Sequence, residues 1–92
     1  MTSKKLSSKE MLRQLVSFDT TSAKSNLALI HWVQEYLGGY GIASHLIYDA
    51  QKNKANLHAI IGPAEKPGIV LSGHTDVVPV DGQPWTTDPW TL

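Results

Sequence analysis

The sequence of 92 residues contains no cysteine, a single phenylalanine and no excess of either charge. Without cysteine, the chain can form neither a disulfide bond nor a thiolate metal site. Its eight basic and eight acidic residues cancel, and a chain without net charge is poorly suited to bind nucleic acid or an anionic membrane. The composition therefore predicts no nucleic-acid partner and no membrane partner.

Two further absences concern targeting. No hydrophobic run approaches the roughly 20 residues that cross a bilayer, and the lysines of residues 1–10 are not followed by the apolar stretch of a signal peptide. Together with the lack of cysteine, these features predict a cytoplasmic location. Hydrophobic residues still make up 41% of the chain, which predicts a folded core. The length predicts one small domain or part of a larger one.

Hydrophobic periodicity predicts two helices in the first half of the chain. Ser7-Ser8-Lys9-Glu10 has the form of a capping box, and the apolar stripe behind it predicts a helix that ends near Ser17. A second helix with a wide apolar face is predicted from about Asn26 to Tyr36 or Gly38. Between them lies a loop rich in cap-forming residues, in which Thr20-Thr21-Ser22 are interpreted as helix caps.

Three strands are predicted after the helices. Residues 42–49 and 55–61 flank a polar turn and predict a hairpin, and residues 69–72 read as a strand that is apolar on both faces. Two helices followed by three strands of a mixed sheet indicate the opening of an α/β layered domain. Because Trp85 and Trp90 need a surface to cover them, the chain is interpreted as a truncated domain.

His74 and Asp76 follow the third predicted strand directly. In an extended chain, residues two apart point to the same side, so the imidazole and the carboxylate are expected to lie together. An imidazole that binds a metal is usually held at its other nitrogen by an acceptor such as this carboxylate. Alternatively, both residues cap the strand and bond to nearby backbone, and the spacing alone leaves both interpretations open.

The longer stretch around this pair resembles the first metal-site motif of the M20 metallopeptidase family. The residues that carry the resemblance are Ser72-Gly73-His74-Thr75-Asp76-Val77-Val78-Pro79-Val80-Asp81-Gly82-Gln83-Pro84-Trp85 and Thr87-Asp88-Pro89-Trp90. Upstream, residues 15–22, 25–28 and 53–63 are also similar to the family, so the resemblance covers nearly all of the chain after Leu6. The Val80-Asp81-Gly82-Gln83 run and Trp85 favour a deacetylase branch over the desuccinylase and aminoacylase branches.

The resemblance implies a function for the chain. Residues 1–92 would be the N-terminal part of a zinc-peptidase-like catalytic domain that hydrolyses a small N-acyl amino acid with two Zn²⁺ or Co²⁺ ions. His74 would be a metal ligand, and Asp76 would be the catalytic acid beside it, which orients the imidazole. The other ligands and the general base would lie beyond Leu92, and the complete enzyme would be a homodimer. The chain alone is therefore expected to be inactive, and a truncated, non-catalytic fragment is the alternative.

The remaining candidate residues are assigned structural roles. His31, His45 and His58 show no ligand spacing. Asp81 and Asp88 belong to Asp-Gly and Asp-Pro dipeptides, which favour turns.

Overall fold

A computed structural model describes residues 5–92 of the chain. Residues 1–4, part of the N-terminal segment that lacks the pattern of a signal peptide, lie outside the described residues. The elements, in order, are helix α1 (Ser8–Val16), helix α2 (Leu27–Gly38), strand β1 (Ser44–Tyr48) and strand β2 (Ala55–Ala59). This small α/β arrangement agrees with the predicted class. Over the described residues, neither helix has the length and hydropathy that a bilayer span requires.

Helix α1 begins at the predicted capping box. The hydroxyl of Ser7 accepts a hydrogen bond from the backbone N–H of Glu10 at 3.1 Å, and the Ser7 N–H donates to the Glu10 carboxylate at 2.9 Å. This reciprocal pair satisfies two of the backbone donors that a helix start leaves open. The helix ends at Val16, and the Ser17 N–H bonds to the last carbonyls, as the sequence predicted.

Helix α2 carries the core and is joined to the sheet at its first turn. The side chain of Asn26 donates to the carbonyl of Ala55 and accepts from its N–H, both at 3.0 Å, so the start of α2 is fixed to the start of β2. Leu29, Ile30 and Ala55 are the buried apolar residues of the core. The partly buried residues that pack around them are Leu15, Phe18, Leu27, Val33, Leu46 and Leu57.

The predicted hairpin is confirmed. Strands β1 and β2 pair antiparallel, with Leu46 opposite Leu57 and His45 opposite His58. In the connecting turn, the Asp49 carboxylate accepts hydrogen bonds from the N–H groups of the two residues before β2, at 2.8 and 3.1 Å. Because a side-chain oxygen satisfies backbone donors in this way, the polar turn needs no regular structure of its own.

The predicted third strand is wrong. Residues 69–72 have no strand hydrogen bonding, and Ile69, Val70 and Leu71 are 90%, 88% and 92% exposed. A strand forms only where a neighbouring backbone supplies partners, and among residues 5–92 the two hairpin strands pair with each other alone. The sheet is therefore two-stranded and antiparallel, and the predicted mixed sheet is not formed within the described residues.

Candidate functional site

His74 and Asp76 lie in contact, as the two-residue spacing predicts. The ring nitrogen Nδ1 of His74 is 3.0 Å from a carboxylate oxygen of Asp76 and 3.1 Å from the Asp76 carbonyl oxygen. Both partners are hydrogen-bond acceptors, so the geometry places the ring proton on Nδ1. The neutral imidazole then presents the lone pair of Nε2, which is the form in which histidine binds a metal.

The pair lies at the surface rather than in the core. The side chain of His74 is 83% exposed and that of Asp76 is 61% exposed. The imidazole is therefore accessible to an ion or a ligand from solvent. Because packing does not restrain side chains this exposed, their orientation depends on hydrogen bonds and on the backbone that carries them.

A second segment of the chain holds that backbone. Thr21 and Val77 form a parallel bridge, in which the Ser22 N–H donates to the Val77 carbonyl at 3.0 Å and the Val77 N–H donates to the Thr20 carbonyl at 3.2 Å. The hydroxyl of Thr20, a residue only 5% exposed, donates to the Thr75 carbonyl at 2.6 Å. We call residues 20–22 the clamp segment.

The clamp segment corrects the interpretation of these residues as helix caps. The Ser22 hydroxyl lies 3.2 Å from an Asp76 carboxylate oxygen and 3.3 Å from the Val77 carbonyl. The Thr21 hydroxyl bonds to Asp19 at 2.6 Å. Sequence reasoning missed the role of this segment because its partners lie about 55 residues further along the chain, and helix-cap patterns report local partners only. The resemblance to the family includes the segment, which was the one available signal.

Asp19 fixes the start of the clamp segment by electrostatics. Its carboxylate accepts a hydrogen bond from Lys24 Nζ at 2.5 Å, and from the N–H and hydroxyl of Thr21 at 3.1 and 2.6 Å. The Lys24 bond, followed by the two Thr21 bonds, lowers the pKa of Asp19 to about 2. The same contact raises the pKa of Lys24. The two opposite charges thus stabilise each other at neutral pH.

The donors of this chain do not complete a metal site. No group of three or more histidine, aspartate or glutamate side chains in the part of the chain that the structure describes could hold a metal ion. Zinc sites take three or four protein ligands, whereas His74 offers one nitrogen and Asp76 is already engaged with the same ring. Any further ligands would have to come from other residues or another chain.

Two open hollows adjoin His74. One, of about 580 Å³, is lined mainly by apolar side chains that include Phe18, Val77 and Trp90. The other, of about 710 Å³, is bordered by β2 and by residues 72–76. His74 therefore lies where two concave surfaces meet, a position typical of ligand sites.

Among the other candidates, His58 borders the second hollow together with His74 and Asp76, but these three do not form a metal-binding group. His31 is exposed on α2, and His45 and His58 face each other across the hairpin. Asp81 lies in a turn, and Asp88 accepts a hydrogen bond from the Trp90 N–H at 2.9 Å. The turn roles predicted for both aspartates are therefore confirmed.

The curated proteins that this sequence matches include deacetylases. In particular, they are acetylornithine deacetylases: the chain is 39% identical over 90 residues to the enzyme of Proteus mirabilis, 37% to that of Pectobacterium atrosepticum and 36% to that of Aliivibrio salmonicida. These matches cover 90–91% of the chain but 23% of each relative. No family model matches the sequence, and no solved structure matches it.

These comparisons confirm the resemblance first inferred from the motif. The chain is similar to acetylornithine deacetylases over nine-tenths of its length, and it spans just under a quarter of the length of the curated relatives that it matches. This partial coverage is consistent with an N-terminal fragment of such an enzyme.

Proposed function

We propose that this chain is the N-terminal part of the catalytic domain of a metal-dependent amide hydrolase. Its reaction would convert N2-acetyl-L-ornithine and water to L-ornithine and acetate, a step of arginine biosynthesis. The observation that supports the proposal best is the contact between His74 Nδ1 and Asp76, in a chain 36–39% identical to acetylornithine deacetylases.

Each residue of the pair has a separate role in this proposal. His74 binds one ion of a centre of two Zn²⁺ or Co²⁺ ions through Nε2. Asp76 accepts a hydrogen bond from the N–H at Nδ1, which fixes the tautomer and raises the basicity of the nitrogen that binds. The remaining ligands and the general base belong to a part of the enzyme outside these 92 residues, so this chain alone does not carry out the reaction.

The proposal extends to the setting of the enzyme. The substrate is a small N-acyl amino acid, the location is cytoplasmic, and the complete protein is a homodimer. The relatives' shared name supports a small substrate with an acetyl group. The absence of net charge supports a protein without a nucleic-acid partner.

The proposed function can be tested with a hybrid enzyme. The hybrid carries this chain in place of the 90-residue region that it matches in the Proteus mirabilis deacetylase. We expect it to release ornithine from N2-acetyl-L-ornithine, to lose activity with a chelator, and to regain it with Zn²⁺ or Co²⁺. The substitution His74→Ala should lower turnover by about 100-fold or more, because removing a ligand costs at least as much as removing its hydrogen-bond partner.

The control for this experiment is His31→Ala, which removes an exposed imidazole from α2, away from the pair. It should leave turnover unchanged. Equal activity in the unchanged hybrid and in the His74→Ala hybrid would rule out the site, provided that both contain the same amount of metal by elemental analysis.

Two alternatives are decided by the same hybrid. A preference for N-succinyl-diaminopimelate or for other N-acyl amino acids would indicate the desuccinylase or aminoacylase branch. The second alternative is a non-catalytic fragment, and the absence of a three-residue metal group among residues 5–92 is compatible with it as well. A hybrid that folds but binds no metal and hydrolyses none of these substrates would support it.

A further inference from the structure

The hydroxyl of Ser22, more than 50 residues earlier in the chain, bonds to the carboxylate that contacts His74. Ser22 Oγ lies 3.2 Å from one carboxylate oxygen of Asp76 and 3.3 Å from the Val77 carbonyl, so its single proton is shared between these two acceptors. The other carboxylate oxygen of Asp76 contacts His74 Nδ1 at 3.0 Å. Each of the two carboxylate oxygens thus has one partner. A hydroxyl that donates to one oxygen restricts rotation of the carboxylate and so restricts where the other oxygen can lie.

The clamp segment also holds the backbone that carries His74 and Asp76. Thr20 is buried, and its hydroxyl donates to the carbonyl of Thr75, the residue between His74 and Asp76. The backbone bonds of the parallel bridge fix Val77, the residue that follows Asp76. The segment that carries the pair is therefore held from one side by consecutive residues of a single loop.

The clamp segment is itself held by groups that do not contact the pair. Lys54 Nζ donates a hydrogen bond to the Ser22 carbonyl, and Asp19 binds Thr21 and Lys24. These contacts connect the loop to the start of β2 and to its own ends. The clamp segment therefore has a defined position from which its hydroxyls can orient other groups.

We propose that Thr20 and Ser22 are positioning residues: Thr20 sets the backbone of the His74–Asp76 pair, and Ser22 sets the Asp76 carboxylate so that it holds the imidazole with Nε2 free. The inference rests on the proposed function in one respect: orienting His74 is useful because His74 is proposed to bind a metal ion. Its geometry concerns the chain alone. Neither hydroxyl bonds to His74 itself, and both act through Asp76 or its neighbours.

The test is the tautomer of His74, measured by ¹⁵N NMR on the uniformly labelled 92-residue chain at a pH at which free imidazole is neutral. In the unchanged chain, the proton should reside mainly on Nδ1. Ser22→Ala should shift the tautomer ratio of His74 about two- to tenfold towards Nε2–H, the range expected for one hydrogen bond. Thr20→Val should shift it in the same direction.

Matched variants separate positioning from general stability. Ser22→Thr and Thr20→Ser keep a hydroxyl and should have the His74 tautomer ratio of the unchanged chain. Ser25→Ala removes a hydroxyl from the same loop, one that accepts from the Leu27 N–H instead, and should leave the ratio unchanged. The signals of His31, His45 and His58 serve as internal references, because a structural collapse would change them too.

Three results would overturn the proposal. One is an unchanged chain in which His74 has no preference for the Nδ1 proton. Another is a Ser22→Ala chain with an unaltered ratio. The third is loss of the β1–β2 amide signals in Ser22→Ala, because the loop would then hold the whole fold rather than the histidine. Since the measurement needs neither metal nor substrate, its failure is distinct from an inactive hybrid enzyme, which would count against the proposed function only.

Discussion

Two neighbouring stretches of this chain lie outside the helices and the hairpin, yet only one of them has backbone hydrogen bonds to another segment. Residues 75–77 bond to the clamp segment through the Thr20 hydroxyl and the Val77 backbone. Residues 69–71, a few positions earlier, are more apolar but about 90% exposed. The difference is a partner, because an extended backbone is held only where another segment satisfies its N–H and C=O groups.

A stable strand needs both suitable side chains and backbone hydrogen-bond partners, and each of these two stretches has only one of them. The run Ile69-Val70-Leu71 has the side chains of a buried strand, but within the described residues it has no neighbouring strand. Val77 is partly exposed, at 39%, yet it has backbone partners on the clamp segment. Three adjacent exposed apolar side chains form a surface that tends to associate with other chains.

The largest expected effect follows from this exposed run. We predict that the chain self-associates and that Val70→Lys suppresses the association, because each apolar side chain of this kind contributes about 1.5–3 kcal/mol when fully buried. A charge in the middle of the run would oppose that burial. Sedimentation velocity over a range of concentrations measures the change as a shift towards monomer.

The matched control places the same charge at another exposed valine. Val78 is 72% exposed and follows the bonded segment, so Val78→Lys should leave most of the association in place. An equal shift towards monomer in both variants would show that net charge, rather than the 69–71 run, governs association.

A smaller effect is expected on the bonded side of the comparison. Thr20→Val replaces a buried hydroxyl with a methyl group and leaves the Thr75 carbonyl without that donor, which should lower the free energy of unfolding by about 1–2 kcal/mol. Urea denaturation followed by circular dichroism measures this loss. Hydrogen exchange of the Val77 amide should also become faster.

Ser72→Ala provides the comparison for Thr20→Val, since Ser72 lies in the exposed stretch. Its effect on unfolding should be within about 0.5 kcal/mol, as for most surface substitutions. If both substitutions lower the free energy of unfolding equally, the hydroxyl of Thr20 does not hold residues 75–77, and the contrast between the two stretches loses its physical basis.

Local patterns in the sequence predicted the elements that depend on local contacts. The capping box at Ser7 and Glu10, the end of α1 and the β1–β2 hairpin all involve residues close together in the chain, and all three were predicted. The contact between His74 and Asp76 could also be predicted from the sequence, because residues two apart in an extended backbone point to the same side. The metal and catalytic roles of the pair remain predictions.

What could not be predicted depends on distant partners. The pattern of residues 69–72 indicates a strand, but a pattern cannot show whether a neighbouring strand is present. Thr20 and Ser22 are of the residue types that commonly cap helices. Their actual partners, Thr75 and Asp76, are more than 50 residues away in the sequence. A hydroxyl side chain can bond to backbone groups near it in the sequence or to distant ones. The sequence shows only the near ones, so it favoured the helix-cap interpretation.

The smallest effect concerns acid stability at the start of the clamp segment. The pKa of Asp19 is about 2 in the folded chain because Lys24 and Thr21 bond to its carboxylate, whereas an unfolded aspartate has a pKa of about 3.9. A lowered folded pKa stabilises the fold above the unfolded value. This contribution is therefore complete above about pH 4 and is lost as the pH falls towards about 2.

Asp19→Asn isolates this contribution from the other carboxylates, which titrate in a similar range. The variant should be less stable than the unchanged chain at neutral pH, and the difference should narrow between about pH 4 and pH 2 as Asp19 becomes protonated. Urea midpoints at several pH values measure it, with Glu65→Gln, at an exposed position, as the control for losing one negative charge. A difference that stays constant with pH would mean that the shape of the Asp19 side chain, rather than its charge, holds the loop beneath Thr20 and Ser22.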